Sequence, residues 1–492
     1  MQKKIIGLYN LKRLKKKDKK IGLCHGVFDV VHYGHLQHLI DAKSKVDILI
    51  VSLTSDKFVK KAPHLPINNQ KVRARFLSHF NFIDFVYINN YATSENVIRD
   101  LKPDFYFKGA DYKKKDITGN LSKEIKILKK NRGKIVISNS PTMSSTKISN
   151  NTLLDWQPEQ KKFLNYFSKK NAYIKIVKYL DSLSKKEVDI IGEPIIDEYI
   201  FGDMVGLTSK DPAMSLVKKS QKTIPGGVIA IAKIISHFVK KVNLYTYGPQ
   251  KDLETFLKKN KNIKLINISK KLTIQKKTRY LNANRYEKIM QITNIFKNKL
   301  ENEINNNIFI KLKKNKSKHI LICDYGIDLF SKKFITSLEN LQKKRMINVQ
   351  TNSLNHGFNL FNKYQKYSYL CLDEREWKLG FNNHDEVIKN IIDLSNKKKV
   401  PLSLTRGKEG SNLINKKHNY FCPTFINKTV DTTGCGDAYF ALTSLMTIIN
   451  AEQNLIPFIG NSYAGLHGQF FGNEKIIDKV EFLKYLKTIL NF

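Results

Sequence analysis

Gly26-Val-Phe-Asp-Val-Val-His-Tyr-Gly-His35 decides how the first third of this chain reads. The apolar run Ile21-Gly-Leu-Cys24 leads into it, and the amphipathic run Leu36-Gln-His-Leu-Ile-Asp-Ala42 leads out. That order predicts a buried strand, a glycine turn and a helix start. Gly26 lets the backbone approach a ligand, and Gly34 separates the imidazoles of His32 and His35. A helix N-terminus offers unpaired N–H groups and a positive dipole end, which suits phosphate. Imidazoles placed there can donate to phosphate oxygens that gain charge during group transfer.

The string resembles the cytidylyltransferase-like nucleotidyltransferases, whose His-x-Gly-His follows a Gly-x-Phe-Asp turn. Further blocks resemble that family in the same order: Ser52-Leu-Thr-Ser-Asp56, Lys61-Ala-Pro63, Arg73, Lys102-Pro-Asp-Phe-Tyr-Phe-Lys-Gly-Ala-Asp-Tyr112 and Ser144-Ser-Thr-Lys-Ile148. The resemblance implies a Rossmann-like domain that joins a nucleoside triphosphate to a phosphomonoester and releases pyrophosphate. It makes His32 and His35 catalytic. It assigns nucleotide or phosphate binding to Gly26, Phe28, Asp29, Lys61, Arg73, Lys108, Gly109, Asp111, Ser144, Ser145 and Thr146. The physical demand agrees. Two polyanions must meet, so the site needs cations, N–H and O–H donors and a divalent metal. The sugar-phosphate branch that makes nucleotide-activated heptoses is the nearest in flavour, with glycerol-phosphate cytidylyltransferase as a cousin.

At 492 residues the chain is too long for one ordinary core, and 41% hydrophobic with 11% aromatic residues is a globular composition. No apolar run reaches the ~18 residues of a membrane span, and Met1-Gln-Lys-Lys-Ile-Ile-Gly7 lacks the apolar core of a signal peptide. Cys24, Cys323, Cys371, Cys422 and Cys435 are scattered singly, with no CxxC pair. We expect a reducing, cytoplasmic setting and no structural zinc. The net charge of +43 comes from lysine spread along the whole chain. Such scatter reads as composition bias, so neither nucleic acid nor a membrane is an expected partner. The densest cluster, Leu11 to Lys20, reads as a solvated lead-in helix.

The first unit is expected to span 1–150. Residues 151–186 read as a helical connector, with Leu154, Trp156, Phe163, Tyr166 and Phe167 packing. From Val188-Asp-Ile-Ile-Gly-Glu193 onward, strand-like runs alternate with helical ones, which predicts a three-layer α/β domain over 187–492 with a largely parallel sheet. Within it lies Asp431-Thr-Thr-Gly-Cys-Gly-Asp-Ala-Tyr-Phe440. Gly434 and Gly436 bracket a turn whose N–H groups can hold a phosphoryl group, and Asp437 at the helix start can take a proton from a hydroxyl.

That string resembles the Asp-Thr-x-Gly-Ala-Gly-Asp signature of ribokinase-like (PfkB) sugar kinases. By this resemblance Asp437 is the base, and Gly434, Cys435 and Gly436 form the anion hole. Thr405, Gly407 and Gly410 lie on the nucleotide side, and Glu376 orders a magnesium–phosphate network indirectly. Asp197, Gly226, Gly227, Lys277, Arg279 and Asp324 face the sugar. There are departures: Ala230 stands where the family has Asn, Gln350-Thr-Asn352 replaces the Asp-Pro-Lys of heptose kinases, Cys435 replaces Ala and Asp373 replaces Asn. Bifunctional heptose enzymes carry the kinase first, whereas here the transferase comes first.

Together these readings imply a bifunctional cytoplasmic enzyme using Mg2+ with ATP, and with CTP or ATP at the first site. It would act on sugars or sugar phosphates and make a nucleotide-activated, heptose-like sugar for a surface glycan. The alternatives are a CDP-glycerol or CDP-alditol synthase with an accessory kinase, and a ligand-binding regulator with an inactive kinase domain. The sequence leaves the sugar, the anomer, the base of the nucleotide and homo-oligomerisation open.

Overall fold

The apolar run before the first glycine turn forms strand β1 (Ile21–Gly26), which pairs in parallel with β2 (Ile48–Thr54). β3 (Phe85–Asn89), β4 (Phe105–Lys108) and β5 (Lys134–Ile137) complete a parallel sheet of order β3-β2-β1-β4-β5. Every residue of β2 is buried. Leu49, Val51 and Leu53 pack with Leu39 and Phe107, while Ile48 and Ile50 pack with Tyr106 and Leu128 on the other face. A parallel strand covered on both faces reads as an unbroken apolar run, as this one does. The strand order reverses between β1 and β4. In open α/β sheets ligands bind beyond the carboxyl ends of the strands at such a reversal.

The structure is a computed structural model that describes residues 4–14, 18–59, 65–109, 120–138, 156–294, 305–327, 329–352, 355–382, 385–426 and 429–491, with backbone alone at 305–307. Its contacts divide the chain into two compact units, Met1–Ser168 with Leu483–Phe492, and Lys169–Phe482. The connector is two helices, Pro158–Lys169 and Ala172–Leu183, broken at Asn171, which has φ 54°. Trp156 and Phe167 are buried as expected, but Tyr166 is exposed. Leu154 lies outside the described residues. The lead-in helix is Leu8–Lys12, shorter and earlier than the lysine cluster suggested.

The second unit is built on a nine-stranded sheet. Its strands are β6 (Glu187–Gly192), β9 (Lys241–Thr246), β10 (Ile263–Asn267), β13 (His319–Asp324), β14 (Lys344–Val349), β15 (Tyr369–Asp373), β16 (Leu402–Thr405), β17 (Ser411–Asn415) and β18 (His418–Cys422). They run in the order β10-β9-β6-β13-β14-β15-β16-β17-β18, parallel from β10 to β16 and antiparallel thereafter. Order reverses between β6 and β13. The helices Val228–Ser236, Cys435–Ile448 and Leu455–His467 are buried along nearly their whole length, so they are apolar all round rather than amphipathic.

A separate four-stranded sheet of order β12-β11-β7-β8 comprises β7 (Pro194–Leu207), β8 (Met214–Gly227), β11 (Gln275–Asn282) and β12 (Lys288–Asn294). The chain enters it through a long antiparallel hairpin, β7 with β8. No helix of the described residues is long and apolar enough to cross a membrane. All five cysteines are free thiols.

Candidate active sites

At the carboxyl end of β1 the chain turns sharply. Phe28 takes φ 52°, a left-handed conformation uncommon for a bulky residue and the sort of strain found at functional turns. The helix Tyr33–Lys43 then begins with His32 as its cap, whose Nδ1 accepts the His35 N–H at 3.4 Å. A main-chain N–H can only donate, so the neutral His32 ring carries its proton on Nε2. That Nε2 is buried and has no partner among the described residues. Burial lowers the His32 pKa, which favours the neutral, Nε2-protonated donor. The His35 ring stacks on His32 at 4.0 Å and meets the Phe28 edge at 5.4 Å. Sequence reading missed a third imidazole. His25, the penultimate residue of β1, lies 3.1 Å from Ser52 Oγ and 3.4 Å from Thr54 Oγ1. Burial, and then the Lys108 charge, lower its pKa to about 4.

Three charged residues expected to face substrate are turned to other tasks. Arg73 is 1% exposed and donates to Asn68 O (2.9 Å), Val27 O (2.5 Å), Thr54 O (2.8 Å) and Asp56 Oδ1 (2.6 Å), tying three chain segments together. Lys108 is 4% exposed and pairs with buried Glu124 at 3.2 Å. The Asp29 carboxylate accepts the Ile67 and Asn68 N–H groups at 2.7 and 2.8 Å. The buried charges of Arg73 and Lys108 must be paired, and they, like half-buried Asp29, have partners within the fold. Gly26 lies against the Phe28 ring, and a side chain on Gly109 would meet open space. Lys61, Asp111, Ser144, Ser145 and Thr146 lie outside the described residues.

In the second unit the helix of the Asp431 string starts earlier than the sequence implied, at Cys435, so that Gly436 lies within its first turn rather than before it. Gly434, with φ 83°, caps the helix Cys435–Ile448, and Asp437 lies in its first turn. One oxygen of Asp437, Oδ1, accepts Tyr325 Oη–H at 2.9 Å and Gln350 Nε2–H at 2.6 Å. Among the described residues no hydrogen bond reaches Oδ2. Burial raises the Asp437 pKa to about 6; Tyr325 and Gln350 oppose that, and the charges of Asp197 and Lys277 act on it as well. Asp197 and Lys277 therefore stand near Asp437, carried there by adjacent strands β7 and β11. Arg279 donates to Asp197 Oδ1 at 2.5 Å. Gly226 lies directly beneath Asp197 Oδ2, where a Cβ would collide with the carboxylate. Gly227, at φ 58°, starts the next helix. A side chain on Gly436 would meet open space.

Asp324, expected to face sugar, is 1% exposed. Lys363 (2.6 Å), Tyr364 Oη (2.6 Å) and Asn359 Nδ2 (3.1 Å) take up its carboxylate. It serves as a buried brace rather than a sugar contact. Glu193 is a second brace: it accepts the Tyr325, Ile327 and Leu329 N–H groups at 2.7–2.9 Å, and burial raises its pKa to about 8. Glu376 accepts Asp373 N–H and Thr351 N–H, both at 2.9 Å, as half of a capping box. Both of its oxygens are thus engaged, which fits an indirect relation to magnesium. No cluster of three or more metal-ligating side chains occurs among the described residues. Mg2+ commonly arrives on substrate phosphates with one or two carboxylates rather than in a protein cage, and this donor set fits that mode. Thr405 ends β16 opposite Asp373. Gly407 is open to solvent, whereas Gly410 is packed against Cys422 O. Cys435 is partly exposed, and burial raises its thiol pKa to about 12.

Residues 187–444, more than half of the chain, match the pfkB family carbohydrate kinase pattern. The chain belongs to the pfkB family of carbohydrate kinases. Ahead of that family's domain, residues 23–162 match the cytidylyltransferase-like pattern. Two curated relatives resemble the N-terminal part. The bifunctional protein HldE of Campylobacter fetus subsp. fetus is 40% identical over 130 residues, 26% of this chain and 28% of the relative. The HldE of Campylobacter jejuni subsp. doylei is 48% identical over 108 residues, 22% of this chain and 23% of the relative. The chain thus aligns with about a quarter of the length of these relatives. Among solved structures, phosphofructokinase-2 from Escherichia coli in complex with substrates and products superposes with a TM-score of 0.51 at 12% identity. It covers 61% of this chain and 98% of that one, and it shows the pfkB-type fold alone.

Proposed function

We propose that this pfkB-family chain is a bifunctional enzyme of nucleotide-sugar synthesis. One domain, 187–492, phosphorylates a sugar or sugar phosphate with ATP. The other, 1–150, couples a sugar phosphate to a nucleoside triphosphate with release of pyrophosphate, and 151–186 joins the two. The observation that carries the kinase half is the Asp437 carboxylate at a buried helix start. One oxygen is held by Tyr325 and Gln350, and the Asp197–Arg279 pair stands nearby. Asp437 Oδ2 accepts the proton of a sugar hydroxyl as its oxygen attacks the γ-phosphorus. ADP leaves, and the N–H groups of Gly434, Cys435 and Gly436 take up the charge that grows on the transferred group. Mg2+, when bound with the nucleotide, neutralises charge on the phosphates.

In the first domain the Nε2–H of His32 and the His35 imidazole face the α-phosphate and stabilise its charge as the sugar phosphate displaces pyrophosphate. The substrate class is a heptose-like sugar phosphate, a reading supported by the HldE relatives. The test is phosphate-31 NMR on the full chain with Mg2+, ATP or CTP, and a panel of sugars and sugar phosphates including heptose phosphates. New phosphomonoester and pyrophosphate-diester signals are expected. Their absence across the panel would overturn the proposal.

A further inference from the structure

Gln350 is one of the positions where this chain departs from its family resemblance, and its side chain touches the proposed kinase base, Asp437. Its amide donates to Asp437 Oδ1 at 2.6 Å, on the oxygen that Tyr325 Oη also serves at 2.9 Å. The side chain is aimed by its own backbone. Gln350 N–H donates to Asp324 O at 2.8 Å, Gln350 O accepts Asn359 Nδ2–H at 3.0 Å, and the next N–H, that of Thr351, donates to Glu376 Oε1 at 2.9 Å. Asp324 and Glu376 are buried. The short run after β14 is therefore clamped on both sides, and the amide projects from a fixed point. Tyr325 is fixed in the same way, through its N–H on Glu193.

We propose that Gln350 is a positioning residue for phosphoryl transfer. With Tyr325 it locks Oδ1 of Asp437, so that Oδ2 alone is presented to the acceptor hydroxyl and the carboxylate stays ionised at neutral pH. The inference rests on the reading of Asp437 as the base. A neutral amide suits the post. It donates to the ionised carboxylate and favours that form, whereas a carboxylate at the same place would repel it. The other titratable groups whose fields reach Asp437 are Asp197, Lys277, Cys323, Cys371, Glu376 and Cys435. Burial keeps the thiols of Cys323, Cys371 and Cys435 neutral, so the sites that set the charge balance are the carboxylates, Lys277 and the two donors.

The test titrates Asp437 directly. The full chain is labelled with carbon-13 at aspartate carboxyls, and the Asp437 signal is identified by its loss in Asp437→Asn. Gln350→Met keeps the length of the side chain and removes the donor. It should raise the Asp437 midpoint by roughly one pH unit. Gln350→Glu should raise it further, by about two units, as two neighbouring carboxyls share their protons. Tyr325→Phe should move it in the same direction as Gln350→Met. The acid limb of kcat/KM for ADP release, measured with ATP–Mg2+ and the sugar or sugar phosphate that the phosphate-31 panel shows to be phosphorylated, should follow each midpoint while KM for ATP stays within about twofold. If Gln350→Met and Gln350→Glu both leave the midpoint in place, whatever they do to melting temperature, Gln350 is only packing and the proposal is wrong. Full activity in Asp437→Asn would instead refute the base reading, and the titration of the Gln350 variants would still show whether the amide holds this carboxyl.

Discussion

A carboxyl sealed from water at a helix start holds its proton more tightly, and Asp437 shows this, raised to about 6 chiefly by burial. A base must be ionised to work. Phosphorylation should therefore be flat above neutrality and fall as pH drops through about 6, while a base of ordinary aspartate pKa would hold its rate to about pH 4. A pH profile of kcat/KM distinguishes the two. Asp437→Asn keeps the shape and can still accept the Tyr325 and Gln350 hydrogen bonds, so melting temperature should stay within a degree or two while phosphorylation falls about a hundred- to ten-thousandfold. The helix-start placement of Asp437, His32 and His35 was legible in the sequence because each sits at a fixed offset from a glycine turn. Arg73, Lys108, Asp29 and Asp324 were not. Sequence gives a charge but not the side to which it points, and all four are taken up inside the fold. His25 was passed over and Gln350 was read only as a departure from the family pattern, because their partners, Ser52 and Thr54 for one and Asp437 for the other, lie far along the chain.

At the scale of elements, parallel strands such as β2, β6 and β13 were readable because burial on both faces leaves nearly unbroken apolar runs. The hairpin of β7 and β8 was not, because its distal half is exposed on both faces and carries no periodic signal. That sheet nevertheless delivers Asp197, Lys277 and Arg279, and β12 sends Lys288 to Asp431 at 2.7 Å. Gly226→Ala should push the Asp197 carboxylate aside. The expected result is a rise in KM for the sugar of at least about tenfold, the loss of roughly one charged hydrogen bond, with KM for ATP unchanged. Far from either site, Lys343 pairs with fully buried Asp189 at 2.8 Å between the amino ends of the strands. Lys343→Met strands that carboxylate and should cost about 3–5 kcal/mol, read as a lower melting transition of the second unit with the pH profile of the surviving enzyme unmoved.

For the whole molecule, the order of the two family patterns was legible because each half carries its own phosphate-site string. The junction was harder. The sequence suggests a first unit ending near residue 150 and a connector over 151–186, and the contacts divide the chain after Ser168, in the last turn of the first connector helix; amphipathic helices look alike whichever unit they pack on. The central claim is that one chain carries two independent phosphate chemistries. It is tested most directly by assaying His35→Ala and Asp437→Asn, in the full chain, for both pyrophosphate release and ADP release. His35→Ala should lose pyrophosphate release about a hundred- to a thousandfold and keep ADP release, and Asp437→Asn should do the reverse. If either substitution silenced both reactions in a folded chain, or neither reaction fell, the account would be contradicted.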